Sequence, residues 1–250
     1  MTRVPVAIVG TAGRTAGQLA RLDARAYRLM TAAVLQQLVR WGLRRDQVIM
    51  VSGGSAWADH VAVTLFLRRR PSEWGGLELH LPCEFVEEKR RFDDTRAPGR
   101  SLNRYHDQQT GKLGRSSLDD LHEARERGAR FVAGYAGFHA RNTAVAAAAS
   151  YMVALTFSAG DAPDGTSRGT RDTWRKCRGT KAHVSLERLL CGGAAGQQAG
   201  RKRGLEQFGF RKRRRTADPR HPATPLKTVR AHDRPAEPAP LGVTLALHPC

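Results

Sequence analysis

The chain has 250 residues, 40% of them hydrophobic, and carries 42 Lys/Arg against 23 Asp/Glu for a formal net charge of +19. That length suits one α/β domain of ordinary size with an appendage. No run approaches the roughly 20 apolar residues that a membrane-crossing helix needs, so a membrane partner is not expected. The N-terminus runs straight into Pro5-Val6-Ala7-Ile8-Val9-Gly10 without the basic and apolar regions of a signal peptide. The expected location is intracellular, nuclear in a eukaryotic host and otherwise cytoplasmic.

The positive charge favours polyanionic partners, nucleic acid first, without naming one. Residues 196–250 hold 12 Lys/Arg against 4 Asp/Glu, leaving 30 against 19 in the first 195. Cys83, Cys177, Cys191 and Cys250 are scattered, with neither a CxxC pair nor metal-ligand spacing. Idle or buried thiols in a reducing compartment are expected, with no metal and no cofactor.

In chain order, Val4–Val9 reads as a buried first strand ending in the turn Gly10-Thr11-Ala12-Gly13-Arg14. Gly10 and Gly13 allow close backbone approach, and Arg14 can face an anion. From about Leu22 to Trp41 the positions Tyr27, Met30, Val34, Leu35, Leu38 and Trp41 fall at helical spacing, closed by Gly42. Val48–Val51 is the next strand. Ser52-Gly53-Gly54 then leaves its tip into a small-residue helix start carrying Asp59 in its first turns. A helix N-terminus with unpaired N–H groups binds phosphate or carboxylate readily.

Leu77–Pro82 reads as a short strand. Residues 84–116 are polar and carry Pro98, Gly99, Gly111 and Gly114, which predicts a helix near Phe85–Phe92 followed by a mobile basic loop. Tyr105 and His106 stand there as side chains able to stack on a base. Ser116 to Asp120 opens a helix ended by Gly128.

Phe131-Val132-Ala133 is a short strand, Asn142–Ser150 an alanine-rich helix, and Tyr151–Phe157 a longer strand. A loop with Gly165, Thr166, Gly169 and Thr170 follows, then a helix from Thr170 to Lys176. Strand, helix, strand, glycine-threonine loop and helix make one crossover of a parallel sheet opening onto an anion-binding turn. His183–Leu186 is a last strand or the start of a terminal helix. Residues 196–250 are poor in large apolar side chains and are expected to be a disordered tail. Arg201-Lys202-Arg203 and Arg211–Arg215 within it read as a nuclear-localisation signal or a nucleic-acid patch.

Taken in order, three segments resemble the SLOG superfamily of Rossmann-like nucleotide-binding proteins, which holds the Smf/DprA DNA-processing proteins and the LOG phosphoribohydrolases. The motif order is most similar to the DprA group. Gly10 to Arg14 matches its first glycine–arginine turn, and Ser52-Gly53-Gly54 with Asp59 and His60 matches the second. Phe138, Arg141 and Asn142 match a later Phe-x-x-Arg-Asn, and Gly169-Thr170-Arg171-Asp172-Thr173 resembles the last glycine-threonine turn. The resemblance covers roughly residues 4–190. It departs from the LOG pattern where Thr173 stands in place of that group's catalytic Glu.

The resemblance implies an α/β domain over residues 1–195, a Rossmann-like parallel sheet with helices on both faces, followed by the basic tail 196–250. It implies a nucleotide, or a phosphate-bearing end of nucleic acid, held at the C-terminal ends of the strands by Gly10, Gly13, Arg14, Ser52, Gly53, Gly54, Arg141, Asn142, Gly169, Thr170 and Thr173. Arg14 and Arg141 are expected to pair with phosphate oxygens. Two other readings stay open. One is a DprA-like binder of single-stranded DNA. The other is a LOG-like hydrolase of nucleoside 5′-monophosphates with Asp59 or Asp172 in the catalytic role. A homodimer is compatible with each.

Overall fold

The computed structural model describes residues 2–68 and 73–191. The basic tail and the expected boundary near residue 195 lie outside the described residues.

The strands are β1 (Val4–Gly10), β2 (Val48–Ser52), β3 (Gly76–His80), the short pair β4 (Phe85–Val86) and β5 (Arg91–Phe92), then β6 (Arg130–Val132), β7 (Tyr151–Thr156) and β8 (Thr180–Ser185). The helices are α1 (Ala16–Ala20), α2 (Ala24–Arg40), α3 (His60–Leu67), α4 (Ala97–Leu113), α5 (Ser117–Glu126), α6 (Gly137–Ala148), α7 (Arg168–Lys176) and α8 (Leu186–Cys191). Six strands form one sheet in the order β6-β3-β2-β1-β7-β8, and every pairing in it is parallel. This is the expected Rossmann-like α/β architecture.

Side-chain alternation along the strands builds two cores. Val6 and Ile8 of β1, Val48 and Met50 of β2, and Val153 and Leu155 of β7 point into the larger one, under α2, α3, α4, α5 and α8. Ala7 and Val9, Val51, and Met152 and Ala154 point to the opposite face, where Val145 and Ala146 of α6 and Cys177 meet them. A strand buried on both sides cannot afford a polar face, which is why these segments are continuous apolar runs. The small Ala7, Ala146 and Ala154 let α6 and α7 lie close on the second face.

Connectivity decides where a ligand can sit. From β1 the chain steps outward through β2 and β3 to β6, then crosses back by α6 to place β7 on the other side of β1. Connections therefore leave the tips of β1 and β7 in opposite directions, and a crevice opens between them.

Two expectations about residues 84–116 fail. The segment Phe85–Phe92 is an antiparallel hairpin, with Phe85 opposite Phe92 and Arg90 left-handed at its turn. The two rings meet edge to face at 5.3 Å, a cross-strand aromatic pair that outweighs the helical look of the intervening Glu and Lys residues. The expected basic loop is the 17-residue α4. Pro98 starts that helix, Gly114 ends it in the left-handed conformation, and Leu102, Asn103, Tyr105, His106 and Gln109 are buried at helical spacing. Tyr105 and His106 thus belong to the interior. His106 donates from Nε2 to the Gly54 carbonyl at 3.1 Å and has Nδ1 2.9 Å from Ser117 Oγ.

Smaller differences concern helix starts. The helix expected from Asn142 begins at Gly137, and the one expected from Thr170 begins at Arg168. The two alternatives for His183–Leu186 are both realised, since β8 ends at Ser185 and α8 starts at Leu186. Among the described residues no helix is long and apolar enough to cross a membrane.

Candidate functional site

Three strand tips are bound to one another before any ligand is considered. Ser52 Oγ donates to the Ile8 carbonyl at 2.9 Å and lies 3.0 Å from the Asp59 carbonyl, joining β1, β2 and the start of α3. The Thr11 N–H donates to the Leu155 carbonyl at 2.9 Å, extending the β1–β7 ladder past Gly10. A side chain at Gly10 is excluded by packing, because its Cβ would lie 2.0 Å from the Leu155 oxygen.

Asp59 and Arg141 form a buried ion pair, with Arg141 Nη1 3.2 Å from Asp59 Oδ2 and side-chain exposures of 8% and 6%. The other carboxylate oxygen of Asp59 accepts the Gly10 N–H at 3.1 Å. Burial pushes the Asp59 carboxyl upward, opposed by Arg141 and by the N–H groups of Gly10 and Ser55. Burial also lowers Arg141, with Asp59 opposing. Gly53 is what allows the pair to exist, since a Cβ there would lie 1.2 Å from Arg141 Nη1. Its missing side chain makes room for a guanidinium, not for a ligand.

Beyond the strand tips is a cavity of about 600 Å3 walled by the β1–α1 loop, the N-terminal turns of α6, and the loop leading into α7. Of the residues expected to bind phosphate, Gly10, Arg14, Arg141, Asn142, Gly169, Thr170 and Thr173 line it. Asp59 lines it too. Arg14 and Arg141 therefore face the same cavity. Gly13, Ser52, Gly53 and Gly54 stand behind the wall. Gly13 donates its N–H to Thr11 Oγ1 at 3.2 Å, and the Gly54 carbonyl is turned to His106.

The entrance to α7 is electrostatically unusual. Ser167 at the N-cap makes no side-chain hydrogen bond, the first turn has no acidic residue, and Arg168 stands at the first helical position. Cations are disfavoured at that end of a helix, where N–H groups lack partners and the dipole is positive. Arg14 adds a second cation, with its Nη2 3.6 Å from where a Gly169 Cβ would stand. Among the described residues no carboxylate pairs with Arg14.

Asn142 and Thr173 hold this entrance in place. Asn142 Nδ2 and Thr173 Oγ1 both donate to the Gly169 carbonyl, at 3.2 Å and 3.1 Å. Thr173 sits in the second turn, so the helix N-terminus itself is formed by Ser167, Arg168 and Gly169 and not by Thr173. Asp172 is not part of the cavity wall. Burial pushes its carboxyl up, but hydrogen bonds from Lys176, Asn142 and His139 outweigh this and hold it below the ordinary carboxylate range.

Thr15, Gln18 and His139, which sequence reasoning did not single out, also line the cavity, beside Thr11, Ser55, Ser167 and Arg168 from the segments it did. Their types carry no signal on their own. The Ser167-Arg168 pair ahead of a helix was legible only once the true helix start was known. Among the described residues no group of His, Cys, Asp and Glu could hold a metal ion.

No family model matches the chain. The chain is similar to "Uncharacterized protein R261" of Acanthamoeba polyphaga mimivirus, 33% identical over 193 residues that span 76% of this chain and 100% of that protein.

Proposed function

The chain belongs to the same family as the mimivirus protein R261, and we propose that it binds a nucleotide or a 5′-phosphate-bearing end of nucleic acid in the cavity at the tips of β1 and β7. The observation that carries this reading is the uncapped start of α7, where Arg168 and Arg14, which no carboxylate among the described residues pairs with, gather positive charge at an already positive helix end. A phosphate there satisfies the N–H groups of the first turn and offsets both cations. The position at the topological switch point supports the same reading. We further propose kinship with the SLOG superfamily, supported by the parallel sheet and by the meeting of Arg14, Asp59, Arg141 and Gly169 at one cavity.

The test is titration calorimetry of the full chain with ribose 5-phosphate and AMP, beside Arg14→Ala. Binding that the substitution weakens about ten- to a hundred-fold supports the proposal. Absence of binding to either compound removes it.

A second reading, binding of single-stranded DNA by its phosphorylated end, has one observation of its own. Arg168, Arg171, Arg175, Lys176, Arg178 and Lys181 follow one another along α7 and into β8 with Asp172 as their sole acid, and all six are exposed. Such a surface can track a phosphate backbone leading away from the cavity. A 5′-phosphorylated oligonucleotide that binds more tightly than its 5′-hydroxyl counterpart would favour it.

A further inference from the structure

Sequence reasoning offered Tyr105 and His106 as the aromatic partners of a base, and the structure buries both. It brings a different pair to the cavity. Phe138 and His139, on the first turn of α6, line it directly, with Arg141 and Asn142 one turn further along the same wall. The cavity is thus two-sided in chemistry. The β1–α1 loop and the α7 entrance supply N–H groups, hydroxyls and guanidinium; the α6 wall supplies the rings, beside the Asp59-paired Arg141 and Asn142.

Of the two rings, Phe138 is held in place by its neighbours, while His139 stands open to solvent. The Arg141 guanidinium lies over the Phe138 ring, 5.6 Å from its centroid, and is itself anchored by Asp59. His139 Nδ1 lies 3.5 Å from Asp172 Oδ2, and its side chain is 88% exposed. The loop that delivers them is braced from below. Tyr135, next to the cavity-lining Ala136, has its hydroxyl 2.6 Å from His80 Nδ1, and His80 Nε2 is 2.8 Å from Glu78 Oε1. The Tyr135–His80 hydrogen bond ties the β6–α6 loop to β3, with Glu78 close beside the imidazole on the same strand. A pre-set aromatic surface such as Phe138 loses little freedom on binding, which makes it an efficient base platform; the exposed His139 ring has to be ordered by the ligand.

We propose that the α6 wall is a base-stacking subsite, with Phe138 and His139 receiving the nucleobase of a nucleotide whose phosphate lies at the α7 entrance. The ligand class is then a nucleotide with an intact aromatic base, not a sugar phosphate or a free polyphosphate. This rests on the phosphate-binding reading above. Tyr135 acts here as a positioning residue, through the loop it braces.

The experiment measures affinities of the full chain for AMP and for ribose 5-phosphate, which share the phosphate and the sugar and differ in the base. The expected result is AMP tighter by about ten-fold or more, as loss of one stacked base implies. Phe138→Leu keeps apolar volume while removing the ring, so the fold is preserved. It should narrow that gap to about three-fold or less, with ribose 5-phosphate binding unchanged; His139→Ala should narrow it less. Tyr135→Phe removes only the brace and should narrow the gap with no change in ribose 5-phosphate affinity. Equal affinity of the wild-type chain for the two compounds overturns the base subsite and leaves the phosphate reading standing. A wild-type gap that survives Phe138→Leu and His139→Ala overturns it as well. If neither compound binds, the phosphate reading falls and takes this one with it.

Discussion

Two turns at neighbouring strand tips look alike as sequence and differ as structure. Gly10-Thr11-Ala12-Gly13-Arg14 leaves β1, and Ser52-Gly53-Gly54-Ser55 leaves β2; both are glycine-rich and both lead toward a helix. The first ends in an arginine that faces the cavity and that, among the described residues, no carboxylate pairs with. The second is used mostly internally, with Ser55 and Asp59 alone also reaching the cavity. Ser52 ties strand tips, Gly53 makes room for Arg141, the Gly54 carbonyl receives His106, and Asp59 holds Arg141. A glycine turn announces that a group comes close to the backbone; it does not say whether that group is a ligand or the protein's own side chain.

The largest expected effect comes from breaking the second turn. Arg141→Ala leaves the Asp59 carboxylate buried without its partner, and the cost is about 3–5 kcal/mol of folding stability. Denaturant unfolding measures it. The double variant Asp59→Leu/Arg141→Met should recover most of that loss, since an apolar pair strands no charge. A stable Arg141→Ala protein would show that the pair is dispensable for folding and would undo this account of the second turn. Arg141 is for this reason a poor probe of binding, whatever it contributes to the cavity.

The pH response of the second turn comes next. Burial, with His60 adding to it, holds the His106 imidazole at about 3, below its ordinary 6.5. The folded state therefore keeps His106 neutral where the unfolded chain takes up a proton. Stability from this group is complete above pH 6.5 and falls as the pH drops from 6.5 toward 3, at a slope of roughly 1.4 kcal/mol per pH unit. His106→Gln should flatten that slope between pH 6.5 and 5 in urea titrations, at a lower overall stability.

The first turn should respond in the opposite manner. Arg14→Ala leaves the melting temperature within about a degree or two, as expected for a surface substitution, and removes most affinity for a nucleotide. Arg14→Lys should recover part of that affinity, because an ammonium restores charge without the two-pronged geometry. A marked fall in melting temperature for Arg14→Ala would erase the contrast between the two turns.

The smallest expected signal is chemical. Release of free base from nucleoside monophosphates by the wild-type chain should be at background, by chromatography of AMP incubations. Asp59 is bound to Arg141 and Gly10, Asp172 lies outside the cavity wall, and the Thr173 hydroxyl is donated to the Gly169 carbonyl. Clear turnover abolished by Asp59→Asn, in protein that still binds AMP, would assign the buried carboxyl a catalytic role.

Much of this protein was set by local sequence. The apolar runs at Val4–Val9, Val48–Val51 and Tyr151–Phe157 determine strands, since β-suited side chains in short unbroken runs have few other stable homes. Helical spacing from Tyr27 to Leu38 determines α2, and Ser116 determines the start of α5 by capping it. The order of these elements was enough for a parallel sheet and for a site at its C-terminal edge.

Tertiary packing decided the rest. Residues 84–116 look like a polar loop because only one narrow stripe of α4 is apolar, and that stripe acquires meaning only against α5 and the hairpin. Arg141 reads as a phosphate ligand until the fold brings Asp59, 82 positions away, within reach of it. Phe138 stands out in the sequence only through the Phe-x-x-Arg-Asn resemblance, and His139 not at all, until the return crossover sets both over the tips of β1 and β7. Helix and strand preferences are carried by neighbours along the chain. The pairing of charges and the assignment of rings to a cavity depend on contacts between distant segments, and no local pattern encodes those.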